Sequence, residues 1–190
     1  MLGILLAAGY SRRFGSSDKL LHPLPDGTPI GLAAGINLVQ VIPQTIAVVR
    51  RENHALQKLL KETGIEVITC AEHEQGMADS IAAAIRYSSN LPHTDGFIIA
   101  LADMPFINPA TITEVAQQVK KGAPIVVPTY RGQRGHPVGF SAKFGPELEK
   151  LKGDVGARSI LQRHSAEVHL YETLDRGILM DIDTSSDIPS

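Results

Sequence analysis

Unbroken apolar runs alternate along the chain with segments whose apolar positions recur every three or four residues. Ile4 to Ala7, Ile46 to Val49, Val67 to Thr69 and Phe97 to Leu101 form the first set. None alternates apolar with polar positions, so each reads as a strand buried on both faces, as in a parallel sheet with helices on either side. The second set reads as amphipathic helices. Leu56, Leu59 and Leu60 make one stripe; Met77, Ile81, Ala84 and Ile85 a second; Ile112, Val115, Ala116 and Val119 a third. Asn108 and Pro109 ahead of the third stripe are an N-cap and a first helical residue. Strand and helix in strict turn predict an α/β fold: a three-layer, Rossmann-like sandwich around a mostly parallel sheet.

Past Gly122 the pattern loosens. Ile125 to Val127 predicts a further strand. Tyr130 to Phe140, carrying Gly132, Gly135 and Gly139, predicts a hairpin or flap. A helix over Val155 to Arg163 and two short strands, Val168 to Tyr171 and Ile178 to Met180, complete the order. No linker or repeat divides the sequence, so residues 1–190 are expected to form one domain.

Composition narrows the function. Lys and Arg total 18 against 20 for Asp and Glu, and aromatics are 5%, so neither a duplex nucleic-acid footprint nor a single-strand stacking platform is expected. A lone cysteine, Cys70, excludes an internal disulfide framework. No run approaches the roughly 20 apolar residues of a membrane span, and the apolar start is too short for a secretory leader. No membrane association is expected, and the cytoplasm is the expected compartment.

In an open α/β sheet the loops leaving the carboxyl ends of the strands carry the ligand site. The first, Ala7-Ala8-Gly9-Tyr10-Ser11-Arg12-Arg13-Phe14-Gly15, is small and flexible before it turns cationic. Its backbone amides suit phosphate oxygens, with Arg13 and Lys19 as added charges; a solvated surface loop is the alternative. It is neither a Walker loop nor a dinucleotide fingerprint. Asp103, in Leu101-Ala102-Asp103-Met104-Pro105, stands at a strand tip and could ligate Mg²⁺ beside a polyphosphate, or simply cap the turn. Asp181-Ile182-Asp183-Thr184 offers a second carboxylate, from Asp181 or Asp183. Gly76, Met77 and Ser80 open a helix whose N-terminus could face a ligand, and Arg134-Gly135-His136-Pro137 suggests a substrate contact. Histidines at metal-ligand spacing and a hydrolase elbow are both lacking.

Taken together, Leu6-Ala7-Ala8-Gly9-x-Ser11-x-Arg13-Phe14-Gly15 with Lys19, and the motifs that follow it in order, resemble the MobA-like nucleotidyltransferases, most closely the molybdenum cofactor cytidylyltransferases. Gly153-Asp154-x-Gly156-Ala157-Arg158 belongs to the same series. The resemblance implies a nucleotidyltransferase fold and the transfer of CMP from CTP to the phosphate of a molybdopterin-type cofactor, with pyrophosphate released. It implies triphosphate binding by Leu6, Ala7, Ala8, Gly9, Ser11, Arg13 and Lys19, and Mg²⁺ on Asp103 and Asp183, with Arg13, Lys19 and Asp103 as the catalytic groups. Gly76, Met77 and Ser80 would lie near base and ribose; Arg134, Gly135, His136 and Asp154 near the pterin. A molybdoenzyme or its chaperone would receive the product. Asp79 departs from the family pattern and would bring a negative charge toward the nucleotide. The readings kept alongside are transfer to another phosphate acceptor, such as a sugar or polyol phosphate, and a non-catalytic cofactor carrier. An NADP-dependent oxidoreductase is suggested only by Arg50 and Arg51 after the second strand.

Overall fold

The computed structural model describes residues 1–9, 14, 18–70, 76–91 and 94–188. Eight strands form one mixed sheet: β1 (Leu2–Ala7), β2 (Thr45–Val49), β3 (Glu66–Ile68), β4 (Gly96–Leu101), β5 (Ile125–Tyr130), β6 (Gln133–Arg134), β7 (Val138–Ser141) and β8 (Val168–Glu172). Their order is β3-β2-β1-β4-β7-β5-β6, with β8 paired to the other side of β5. The first four strands run parallel, and β7 enters antiparallel between β4 and β5. The expected α/β class with a mostly parallel sheet is therefore observed.

Helices α1 (Ile30–Val39), α2 (His54–Glu62), α3 (Met77–Ser88), α4 (Pro109–Lys120), α5 (Gly145–Glu149) and α6 (Arg158–Arg163) cover both faces. The continuous apolar strands are explained by this double cover. Within β1, Leu5 and Ala7 face a core built with Ile30, Leu38 and Leu56, whereas Leu2, Ile4 and Leu6 face one built with Ile81, Ile85 and Phe140. Truncating Ile4 or Leu5, both wholly buried, to Ala should cost about 2–5 kcal/mol. Asn108 caps α4 through Oδ1, which accepts the Ala110 N–H at 2.9 Å, with Pro109 as the first helical residue. The predicted hairpin is present: Arg131 and Gly132, both with positive φ, form a tight two-residue turn between β5 and β6.

Two expectations are corrected. Ile178 to Met180 is not a strand; residues Arg176–Leu179 form a 3₁₀ turn capped by Asp175, whose Oδ1 accepts the Gly177 N–H at 2.9 Å. The other Asp175 oxygen accepts the Asn108 N–H and the Thr111 hydroxyl, tying this turn to the start of α4. The helix expected from Val155 begins only at Arg158, because Gly153 and Gly156 adopt left-handed backbone ahead of it.

Candidate functional site

The carboxyl ends of β1 and β4 lie side by side, with Leu6 in register with Leu101. Ala102 N–H continues the pairing by donating to Leu6 O at 3.0 Å, which places the next residue, Asp103, beside the exit of β1. Beyond it, Asn37 on α1 donates to the carbonyls of Pro105 and Ile107 and fixes the path of that loop. The tail returns to the same point: Ile182 N–H donates to Asp103 O at 2.9 Å, and the Ile182 side chain is buried in the core. Residues 79 positions and more apart in sequence are thus locked at one spot by a single backbone bond, with Asp183 half-buried next to it.

Lys19 sits between the two carboxylates. Its Nζ donates to Asp103 Oδ2 at 2.9 Å and lies 3.5 Å from Asp183 Oδ1, and its side chain is only 11% exposed. Asp18 holds it there: one oxygen accepts the Leu20 N–H, capping the 3₁₀ turn Lys19–Leu21, while the other accepts from Arg50 and Asn53, each at 2.6 Å. That use of Arg50 directs its guanidinium to Asp18 and removes the main support for a 2′-phosphate site. Asp187 performs a similar service for Asp183. Its Oδ2 accepts the N–H groups of Asp183 and Thr184 and the Thr184 hydroxyl. Those bonds, the Thr184 N–H foremost, hold the Asp187 carboxyl below its ordinary value. Asp18 and Asp187 were not singled out from sequence as site residues. The signal for each was an acidic residue placed to cap a short turn, which spacing alone assigns to the turn rather than to the site.

The open choice between Asp181 and Asp183 resolves in favour of Asp183 for proximity to Asp103 and Lys19. Asp181 instead contributes, with Asp103, to the field around His136. Burial keeps that imidazole below its ordinary value, against the opposing pull of Asp103, a hydrogen bond with the Ile99 backbone and Asp181. Its Nδ1 is buried without a hydrogen-bond partner among the described residues. Gly135 is packed so closely on the Ile178 carbonyl that no side chain fits, and His136 N–H donates to that same carbonyl at 3.0 Å. The Arg134-Gly135-His136 segment is therefore joined, through the 176–183 segment, to the acidic pair, while the Arg134 side chain stands exposed on β6.

A second cluster forms where α3 begins. Ala78 N–H donates to Gly153 O at 2.8 Å, and Gly76 has no room for a Cβ against the Gly153 backbone. Asp79 accepts the Gly76 N–H at 3.1 Å with one oxygen and the Gly153 N–H at 3.2 Å with the other. The charge expected to disturb a nucleotide pocket thus serves as the clasp between α3 and the 151–157 loop. Met77 lies half-exposed against Gly156, and the buried Ser80 hydroxyl donates to Gly76 O. The structure therefore brings Gly76, Met77 and Ser80 together with the loop that carries Asp154. Of the remaining expected residues, Leu6 and Ala7 are buried in β1, Ala8 is half-buried and Gly9 is exposed at the strand exit; Ser11 and Arg13 lie outside the described residues.

The donor set fits a divalent cation. Two carboxylates converge on a point already attractive enough to hold an ammonium group, which is the hard-oxygen arrangement that Mg²⁺ or Mn²⁺ accepts alongside phosphate oxygens and water.

Residues 3–168 match the family model of the MobA-like NTP transferase domain. The chain belongs to this family. Its curated relatives include the purine catabolism protein PucB of Bacillus subtilis (strain 168), 28% identical over 97% of this chain and 92% of PucB. The nicotine blue oxidoreductase of Paenarthrobacter nicotinovorans is 26% identical over 96% of this chain and 91% of that protein. A probable molybdenum cofactor guanylyltransferase of Chloroflexus aggregans is 28% identical over 68% of this chain and 59% of its own length. Among solved structures, Rv0371c of Mycobacterium tuberculosis H37Rv superposes with a TM-score of 0.84 at 29% identity, covering 98% of this chain and 93% of that one. The same protein has been solved in complex with manganese (TM-score 0.78, 26% identity, 98% and 94% covered). Family membership makes the chain a nucleotidyltransferase and leaves the nucleotide and the acceptor to be argued from its own residues.

Proposed function

We propose that the chain is a cytidylyltransferase that moves CMP from CTP to the phosphate of a molybdopterin-type cofactor and releases pyrophosphate. The observation that carries the transferase chemistry is the convergence of Asp103 and Asp183 on Lys19 at the ends of β1 and β4. The choice of cytosine and pterin rests on the Gly76-Met77-x-x-Ser80 and Arg134-Gly135-His136-Pro137 motifs. Relationship to a probable molybdenum cofactor guanylyltransferase supports the acceptor class.

In this reaction an oxygen of the acceptor phosphate attacks the α-phosphorus of the nucleotide. One P–O bond forms there as the bond to the β-phosphate oxygen breaks, and pyrophosphate leaves. The nucleophile is already anionic, so no strong base is needed. Alignment for in-line attack and neutralisation of charge supply the acceleration. Asp103 and Asp183 would hold a divalent cation, which supplies charge neutralisation at the phosphates. Lys19 and Arg13 bind phosphate oxygens, Gly76, Met77 and Ser80 at the start of α3 receive base and ribose, and Arg134, Gly135, His136 and Asp154 face the pterin. Loss of the Asp103 carboxylate should slow turnover by roughly 10²- to 10³-fold, the scale of removing one preorganised electrostatic group.

The test is pyrophosphate release from CTP, GTP, ATP and UTP with molybdopterin cofactor, sugar phosphates and polyol phosphates as acceptors, with the product identified by mass. Release confined to CTP and the pterin supports the proposal, and release with another pair replaces the substrates. No release with any pair, together with tight product binding in the absence of metal, is the carrier outcome and overturns it.

A further inference from the structure

Strand β8 ends the sheet on the side of β5 away from β7, and it carries no Lys, Pro or Gly. Its backbone parity is set by one bond: Thr173 N–H donates to Thr129 O, so odd-numbered residues turn their N–H and C=O groups toward β5. Val168, Leu170 and Glu172 therefore present theirs to the open edge, a row of donors and acceptors ready to template another strand. Leu170 is 55% exposed and Leu174, just beyond, is 97% exposed. Of the residues that blunt an edge, this strand carries only Glu172, and among the described residues no other strand pairs with its outer side.

We infer that this edge pairs with β8 of a second copy of the chain, antiparallel, with Leu170 on the two-fold axis. The register follows from the residues. Centring on Leu170 puts three outward-facing residues opposite outward-facing residues: Leu170 opposite its own copy, and Val168 opposite Glu172 in both directions. Each of these pairs exchanges both backbone hydrogen bonds. On the other face His169 lies opposite Tyr171. No like charges meet. Centring on Glu172 would oppose two carboxylates, and centring on Val168 would run the pairing into the 3₁₀ turn Ser165–Glu167. Glu172 is already engaged by the Thr129 hydroxyl and the Arg131 N–H, which keep its side chain on its own sheet. A formal net charge of -2 opposes the approach of two copies only weakly. The product is one sheet continuous across two chains, joined at the edge farthest from β3.

Sedimentation of the purified chain from low micromolar to several hundred micromolar should show a monomer–dimer equilibrium, and Leu170→Lys should shift it to monomer. The register is read by cysteine pairing in a Cys70→Ser background. Leu170→Cys should cross-link to itself under mild oxidant, since an on-axis hydrogen-bonded pair lies at about 5.5 Å between Cα atoms, within disulfide reach. His169→Cys alone should not, but mixed with Tyr171→Cys it should. A chain that stays monomeric throughout, or a dimer in which Leu170→Cys fails to cross-link, overturns the inference, and the cysteine arms remain decisive even if Leu170→Lys does not fold.

Discussion

Gly76→Ala replaces one hydrogen by a methyl group at the point where α3 meets the 151–157 loop. The backbone at Gly76 is extended (φ −85°, ψ 162°), a conformation alanine adopts freely, so the effect is steric alone. The new Cβ would lie 2.1 Å from the Gly153 carbonyl oxygen and 2.9 Å from its Cα, so that loop must retreat by more than 1 Å to reach ordinary contact at 3.4 Å. Residues 152–155 are exposed whereas Ala78 and Ser80 are buried, so the loop yields before the helix. Retreat stretches two bonds, Ala78 N–H to Gly153 O and Gly153 N–H to Asp79. At about 1 kcal/mol each, the stability loss is about 2 kcal/mol. At about 2–4 °C per kcal/mol for a chain of this size, that lowers Tm by roughly 4–8 °C. A displacement of about 1 Å in a positioning segment can cost 10²-fold in rate. The expected result is a folded protein with Tm a few degrees lower and kcat/KM for pyrophosphate release about 10²-fold lower, measured by thermal unfolding and a coupled phosphate assay. Wild-type kcat/KM in a variant whose Tm has fallen as expected would refute the assignment of this clasp to the site.

Three further outcomes are expected. Lys19→Met removes the cation between Asp103 and Asp183, so Mn²⁺ binding without nucleotide should tighten roughly tenfold, read by titration of free Mn²⁺; unchanged affinity would mean that the ammonium and the metal do not share those carboxylates. Gly135→Ala forces a methyl within 2.8 Å of Ile178 Cγ1 and onto the Ile178 carbonyl, where backbone meets backbone, and should destabilise by about 1–3 kcal/mol in urea unfolding. Asp187 has a depressed carboxyl pKa in the folded chain. Its contribution is therefore fully present above the unfolded value of about 3.9 and is lost as pH falls through the lower folded value. Asp187→Asn should be less stable than wild type at pH 7, with the gap closing on acidification; a gap independent of pH would contradict the role given to its charge.

The layering was legible in sequence because it follows from local pattern: continuous apolar strands demand cover on both faces, and Asn108-Pro109 announces a helix start on its own. The position of β7 was not legible. Val138 to Ser141 carries no mark of being inserted antiparallel between β4 and β5, since sheet order is decided by which edges remain free once the parallel strands have paired. Ile178 misled for a related reason. A short apolar run is compatible with a strand until Asp175 caps it into a turn, and the Asp175 contacts that favour the turn reach Asn108 and Thr111, more than sixty residues away. Asp103 and Lys19 were visible as chemistry because each stands in a distinctive local setting. The roles of Asp18, Asp79 and Asp187 were not, because they act by accepting backbone amides whose location only the folded chain reveals.

The bond from Ile182 to the Asp103 carbonyl has a consequence for how the protein is made. Eighty residues of translation separate Asp103 from Asp183, a delay of about 4–16 s at ordinary ribosomal speeds of about 5–20 residues per second. During that interval the parallel strands can already have assembled, yet the acidic pair is still missing one member. A nascent chain thus lacks one of the two carboxylates until synthesis has passed residue 183, and a ribosome stalled between residues 172 and 183 leaves all eight strands translated but only one member of the pair.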